Sequence, residues 1–104
     1  MSVVSTNQSL LPARPIQRET GNIASDMNGE KVLLNVNKGK YFNLGEIGGV
    51  IWELLEQPMS IRSIVDQLLS IYAVERATCE QQLLAFLDQL LDEGLIFMHD
   101  EVRD

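Results

Sequence analysis

Residues 39–55 read GKYFNLGEIGGVIWELL, and this stretch decides the fold. Its first part predicts a β-strand, because Phe42 and Leu44 are two residues apart and therefore lie on one face. Its second part changes to helical spacing, with apolar residues at Ile47, Val50, Ile51, Leu54 and Leu55. The preceding residues can pair with this strand, and the following residues can pack on this helix. We also predict that the strand lies at a sheet edge, which binds a further strand unless it is covered.

The residues before this stretch predict the rest of a small sheet. Residues 31–36 (KVLLNV) are rich in branched side chains, as is typical of a strand. Asn28 and Gly29 predict a hairpin turn before it, because both residues tolerate positive φ. Residues 37–39 predict a second turn, and residues 16–27 are weakly extended. The result is a three-stranded antiparallel meander that needs packing on one face to be stable.

The first predicted helix begins at Gly45 or Glu46 and ends before Pro58. It contains Gly48 and Gly49, each of which costs about 1 kcal/mol in a helix relative to Ala. Close packing of the helix on the sheet is the expected reason for these two residues.

Two further helices follow. Ser60 is the predicted N-cap of the second, whose apolar stripe is Ile61, Ile64, Val65, Leu68 and Tyr72. Thr78 and Gln81 fit a capping box at the start of the third helix, and Gly94 is its expected stop. The core face of this third helix is predicted to hold Leu83, Phe86, Leu87 and Leu90.

Together these elements predict an α+β, winged-helix-type domain, with an N-terminal three-stranded antiparallel sheet followed by three helices. We expect the domain to span residues 16–98. Residues 1–15 are predicted to be a flexible tail and residues 99–104 an acidic tail. Residues 95–98 are apolar and could form a terminal strand.

Composition limits the classes of function. The 104 residues carry a net charge of −7, from 15 acids against 8 bases. This charge disfavours nucleic acid as a partner, because affinity for phosphates comes from Lys and Arg. No apolar run is long enough to span a membrane, and no signal peptide is evident, so we expect a cytoplasmic protein without a membrane partner. The single cysteine is consistent with a reducing compartment.

The sequence contains no pattern typical of catalysis or metal binding. Cys79 could have a lowered pKa near a helix N-terminus, but the only histidine, His99, lies in the tail and is not expected to act as its base. One Cys and one His cannot form a metal site. We therefore expect a protein that is not an enzyme, with no cofactor and no bound metal.

The order and spacing of several short motifs resemble one family. They are VLLN at 32–35, GKYFNL at 39–44, IWELL at 51–55, IVDQL at 64–68 with Tyr72, and FLDQL at 86–90 running to GLI at 94–96. In these motifs the chain resembles the PqqD-like family, the RiPP recognition elements that bind the leaders of precursor peptides. Within it, the chain is most similar to the separate leader-binding proteins of split lasso-peptide systems. Where the family often has Asn, this chain has Gly45, which is also an acceptable N-cap.

The resemblance implies a mode of binding. The leader peptide would add as a strand to the edge strand, beside the third helix, and be delivered to a leader peptidase and an ATP-dependent cyclase. Phe42 and Leu44 should point into the core, with Tyr41 and Asn43 on the opposite face. On the third helix we predict that Leu84, Asp88 and Leu91 form the far wall of the groove. The predicted leader-binding residues are Lys40, Tyr41, Phe42, Asn43, Leu44, Leu84, Leu87, Asp88 and Leu91.

Alternatives remain open from the sequence. Leu84 and Leu91 could belong to a wider buried face, and Tyr41 could be a strand residue with a solvated hydroxyl. A winged helix can also read DNA, but residues 78–93 carry four acids and no Lys or Arg. A structural adaptor subunit of a biosynthetic enzyme would use the same edge and groove. The edge strand could also pair with a second copy of the chain.

Overall fold

The computed structural model describes residues 14–99. Its elements in chain order are β1 (Ile16–Arg18), β2 (Asn22–Met27), β3 (Glu30–Asn35), β4 (Lys40–Leu44), α1 (Gly45–Leu54), α2 (Ile61–Ile71), α3 (Arg76–Asp92) and β5 (Ile96–Met98). The α+β class and the order of the central sheet and three helices are confirmed. The winged-helix label stays a prediction, as do the boundaries of the two tails, which lie mostly outside the described residues.

Strands β2, β3 and β4 form the predicted antiparallel meander in that spatial order, so β4 is an edge. The turn between β2 and β3 has positive φ at both central residues, 56° at Asn28 and 83° at Gly29. This is the turn geometry whose twist matches a two-residue hairpin. Leu33 of β3 pairs with Phe42 of β4, and Leu33 is fully buried. That face of the sheet therefore rests on the helices.

A second, two-stranded sheet was not predicted. Strand β1 pairs antiparallel with β5, which brings Ile16 opposite Met98. Ile16 also exchanges two backbone hydrogen bonds with Met59, at 2.8 and 2.9 Å, and its side chain is fully buried. Residues 16–27 are thus two separate strands in two sheets, and the apolar residues 95–98 do contribute a terminal strand.

The core lies between the inner face of the sheet and the three helices. Its fully buried side chains are Ile16, Leu33, Leu55, Ile64, Val65, Leu87 and Leu95. Two glycines allow α1 to approach its neighbours. A Cβ at Gly49 would lie 2.8 Å from Cβ of Lys31 on β3, and a Cβ at Gly48 would lie 2.9 Å from Cζ of Phe86 on α3. The close packing expected of this pair is confirmed, against the sheet for one residue and against α3 for the other.

The helix starts differ in part from those predicted. Ser60 caps α2 as expected, and its Oγ accepts a 3.1 Å hydrogen bond from the Ser63 backbone N–H. The capping box of Thr78 and Gln81 is wrong, because the N-cap of α3 is Glu75, three residues earlier than Thr78, and it makes no side-chain cap hydrogen bond. The earlier start lets Arg76 form a 2.6 Å ion pair with Asp66 of α2, which ties the two helices together where α3 begins.

Helix α1 forms, although Gly45 is its first residue rather than its N-cap. Gly45 has φ of +76°, which residues with a side chain rarely adopt. Its backbone N–H donates to Oδ1 of Asn43 at 2.9 Å, so a side chain of β4 holds the start of α1. The abrupt change from strand to helix therefore depends on glycine at this position. Within residues 14–99, no helix is long and apolar enough to cross a bilayer.

Candidate functional site

The free edge of β4 is the first component of the candidate site. Lys40, Tyr41, Phe42 and Asn43 pair in register with β3, and β4 has no partner strand on its other side among residues 14–99. Alternate residues of an edge strand direct backbone N–H and C=O groups outward, where another strand can pair with them. This edge is thus a hydrogen-bonding surface independent of side-chain identity.

The two faces of β4 differ, as the alternation predicted. Phe42 and Leu44 are half-buried and pack against the core, whereas Tyr41 is 71% exposed. Asn43 is also exposed, and its Nδ2 donates to Oε1 of Glu30 at 2.9 Å. A peptide strand paired with β4 would continue both faces, with alternate side chains beside Phe42 and beside Tyr41.

A groove runs along this edge, between β4 and α3, with a volume of about 530 Å³. We call it the β4–α3 groove. On the sheet side it is lined by Tyr41, Phe42, Asn43 and Leu44, and on the helix side by Phe86, Gln89, Leu90, Asp92 and Glu93. Its lining combines apolar side chains, among them Phe42, Leu44 and Phe86, with polar side chains of both elements. The groove therefore has room for side chains projecting from a strand added to β4.

One end of the β4–α3 groove is charged. Nζ of Lys40 lies 3.2 Å from Oε1 of Glu93 and 5.4 Å from the ring centre of Phe42. Nζ of Lys38 donates to the backbone carbonyl of Glu93 at 2.9 Å. These exposed contacts contribute little to stability, on the order of 1 kcal/mol or less. They do hold the end of α3 beside the start of β4, with Asp92 exposed next to them.

The structure brings only part of the predicted site together. The β4 residues lie along the groove, with Lys40 at its charged end, but Leu84, Leu87, Asp88 and Leu91 do not line it. Leu87 is fully buried, and Leu84 and Leu91 are partly buried against the core. Positions 84, 88 and 91 lie about 140–160° around the helix from Phe86, because successive residues are about 100° apart. The expected far wall is corrected accordingly: the groove is faced by Phe86, Gln89 and Glu93.

Phe86 was assigned entirely to the core by sequence, whereas it is half-buried and exposes one side of its ring to the groove. The available signal was the repeat of Phe86, Gln89 and Glu93 at helical spacing. Polar residues on that repeat indicate a side of α3 that meets solvent rather than core.

Within residues 14–99, Cys79 and His99 are the side chains considered for catalysis, and they are not brought together. Burial raises the pKa of the Cys79 thiol above its usual range, with an opposing effect from nearby Arg76, so the reactive thiolate is disfavoured. His99 follows β5, beyond the C-terminal end of α3, whereas Cys79 lies in the first turn of that helix. Nε2 of His99 lies 2.8 Å from Oε1 of Gln17. Among the described residues, no cluster of three His, Cys, Asp or Glu side chains could hold a metal ion.

Comparison with known proteins gives a consistent picture. Residues 30–96 match the family described as coenzyme PQQ synthesis protein D (PqqD). The fold is similar to a structure described as TbiB1 in complex with the TbiA(beta) leader peptide, with 31% identity and a TM-score of 0.69. That match covers 84% of this chain and 99% of the other. No curated protein matches the chain significantly.

A second similar structure is described as lasso peptide synthetase B1 complexed with the leader peptide. It has a TM-score of 0.69, 23% identity, and coverage of 79% of this chain and 96% of the other. At that identity the match supports the fold alone. The family resemblance predicted from the short motifs is confirmed.

Proposed function

Because the chain belongs to the PqqD family, we propose that it binds the leader peptide of a ribosomally made precursor, in the maturation of a lasso-type peptide. One observation carries the proposal: an open edge strand, β4, lies beside a groove of about 530 Å³. It is supported by the 31% identity to TbiB1, whose structure was solved with a leader peptide.

In this proposal the leader adds as a strand to Lys40–Leu44. Backbone hydrogen bonds to the edge provide affinity that tolerates many leader sequences, while alternate side chains enter the groove and provide specificity. Phe42, Leu44 and Phe86 would contact apolar leader side chains. Gln89 at the rim can donate to or accept from a polar one.

The proposed contact residues are those of β4 together with the α3 residues that face it. Lys40, Tyr41 and Asn43 would flank the added strand. Asp92 and Glu93 would attract a leader Lys or Arg at the charged end of the groove, which Asp88 does not line. Leu84, Leu87 and Leu91 would act by holding α3 in position.

We propose no chemistry for the chain itself. It would present the bound precursor to a separate leader peptidase and then to a cyclase, in the cytoplasm, and tethering would raise the effective concentration of the substrate. With no leader bound, the β4 edge of one copy could pair with that of another. The acidic groove-facing side of α3 gives no support to a DNA-binding role.

The test is a fluorescence-anisotropy titration with a labelled synthetic peptide, the leader of the precursor encoded beside this gene. A shuffled leader and a random DNA duplex serve as controls. Two further peptides carry N-methyl groups on alternate residues, one peptide for each register, which removes backbone donors without changing side chains. We expect saturable binding of the true leader and much weaker binding of one N-methylated register.

Absence of leader binding, with or without the partner peptidase, would exclude the proposed role. Affinity only for the folded peptidase would identify a structural adaptor instead. Equal binding of the true leader and of both N-methylated leaders would exclude strand addition while leaving leader binding intact.

A further inference from the structure

A second cavity shares Phe86 with the β4–α3 groove and lies between α1, the end of α2 and the first half of α3. We call it the α1–α3 pocket. It has a volume of about 240 Å³, and its apolar lining includes Ile47, Ile51, Leu68, Val74, Leu83 and Phe86. No Asp, Glu, Lys or Arg side chain lines it. In an acidic protein, such a pocket selects an uncharged, apolar group.

The size of the pocket fits one bulky side chain. An apolar cavity of about 150 Å³ holds a benzene molecule in another protein. The 240 Å³ available here therefore suffices for a Leu, Ile, Met or Phe side chain. Ile47 and Val74, two of the lining residues, are 49% and 46% exposed. An inserted side chain would remove this apolar surface from water, which favours binding.

The pocket continues the line of the β4–α3 groove. Phe86 lines both cavities. Strand β4 ends at Leu44, and Ile47 and Gly48 of the pocket follow within the next turn of chain. A peptide strand that leaves the end of β4 and keeps its direction therefore passes over the pocket. Gly48 lets the Phe86 ring pack against α1 at this point, because a Cβ on the glycine would lie 2.9 Å from Cζ of that ring.

We propose that the α1–α3 pocket receives one bulky apolar side chain of the leader, from a residue just beyond the segment that pairs with β4. This inference rests on the proposed function. It adds the feature that would fix the alignment of the leader strand along β4. Strand pairing alone permits slippage by two residues, since the backbone pattern repeats. A single anchored side chain fixes which leader residues oppose Tyr41 and Phe42.

Adjacent glutamines on α3 provide a matched pair of variants. Gln82 lines the pocket, whereas Gln81 is also exposed on α3 but does not line it. We therefore compare Gln82→Trp, which should obstruct the pocket, with Gln81→Trp. Circular dichroism and thermal unfolding establish that each variant is folded. The labelled leader peptide is then titrated as wild type and as a series of single Ala substitutions.

For the wild-type protein and Gln81→Trp, we expect one apolar leader residue whose replacement by Ala weakens binding roughly ten- to a hundredfold. Gln82→Trp should bind the unmodified leader more weakly by a similar factor. It should also be insensitive to that one Ala substitution. Leader binding that is equal in both Trp variants would overturn the inference without touching strand addition at β4.

Should Gln82→Trp fail to fold, methyl NMR of the unaltered protein gives the same answer. Nuclear Overhauser contacts from Ile47 Cδ1 and the Val74 methyls to an apolar leader side chain are expected. Contacts confined to β4 and Phe86 would exclude the anchor.

Sedimentation of the protein without peptide tests whether a second copy of the chain occupies the pocket. If the wild type self-associates and Gln82→Trp does not, a second copy is the occupant and the proposal is overturned. No leader binding by the wild type would instead exclude the proposed function itself.

Discussion

Gly48 of α1 lies directly against the ring of Phe86 of α3, so that a Cβ built on the glycine would be 2.9 Å from Cζ of the ring. The neighbouring Gly49 meets a different element, because its Cβ would be 2.8 Å from Cβ of Lys31. Two adjacent glycines thus hold α1 close to α3 and to the sheet. Only the first contact involves a residue that lines the groove.

This difference gives the first prediction. Gly48→Ala should displace the Phe86 ring and weaken leader binding severalfold, measured by anisotropy. Gly49→Ala should leave the affinity within about twofold. Both should lower the free energy of unfolding by up to about 2 kcal/mol, since overpacking costs about 1–3 kcal/mol and the gain in helix propensity offsets about 1 kcal/mol of it. Equal affinities for the two variants would argue against a role of Phe86 in binding.

A second prediction separates the two sides of α3. Phe86→Ala should lower leader affinity at least tenfold, because Phe86 lines both the groove and the pocket. Leu84→Ala should bind the leader normally, because Leu84 packs on the core away from both. Each change should cost roughly 2–3 kcal/mol of stability, as partial burial places both below fully buried sites. Urea unfolding and anisotropy on the same samples separate the two effects.

A loss of leader affinity in Leu84→Ala, at temperatures where it is fully folded, would restore the wall assignment made from sequence. Leu91→Ala is the second member of the same test, since it lies on the same side of α3 as Leu84. The two variants should agree.

The third prediction concerns Lys31, whose Nζ lies 2.6 Å from Oε2 of Glu53 and 3.0 Å from Oδ1 of Asp26. Hydrogen bonds to Glu53 and then Asp26 raise the pKa of Lys31 above its usual 10.5. A raised pKa means that the folded state holds the proton more tightly. The stabilisation is therefore complete below the unfolded pKa and is lost as pH rises through the folded one.

Lys31→Met keeps the alkyl stem and removes the charge. It should be less stable than wild type by about 1 kcal/mol or less near pH 7. The difference should shrink above pH 10.5, as the wild-type amine loses its proton. Urea unfolding of both proteins across pH 7–11.5 measures it. A difference that grows with pH would contradict the assignment.

Cys79 provides the fourth prediction, as a reporter of the α1–α3 pocket that it helps to line. It is buried, and desolvation raises the pKa of its thiol above the usual 9.0. Alkylation by iodoacetamide at pH 8 should therefore be slower than that of a free thiol and should accelerate as pH rises. Saturating leader peptide should slow it severalfold further, as followed by mass spectrometry. Unchanged alkylation in the presence of bound leader would place the peptide elsewhere.

The parts of the fold that follow from local pattern were predictable. The change from alternation at Phe42 and Leu44 to helical spacing from Ile47 marks the junction of β4 and α1. Asn28 and Gly29 define a turn through backbone conformation alone. Each signal is contained within a few residues, so no knowledge of the distant chain is needed.

Other parts depend on distant contacts. Strands β1 and β5 have three residues each, too few for a pattern, and they exist because Ile16 and Met98 meet across the whole domain. The groove side of α3 was missed because that helix has apolar residues on several faces, among them Leu84, Phe86 and Leu91. The spacing of apolar residues then does not determine which side of α3 faces β4. Only the packing of α3 against α1 and β4 determines it.

The pairing of β1 with β5 has a consequence for protein architecture. Nη2 of Arg14 donates to the backbone carbonyl of His99 at 2.7 Å, and the His99 backbone N–H donates to the carbonyl of Pro15 at 2.8 Å. The first and last described residues of the domain therefore lie side by side. Such a unit can be inserted into a surface loop of another protein without forcing that loop apart, and its sequence can be cut elsewhere and rejoined here by a short linker. The domain can therefore be grafted onto another protein as one folded unit, with its β4 edge and its groove kept intact.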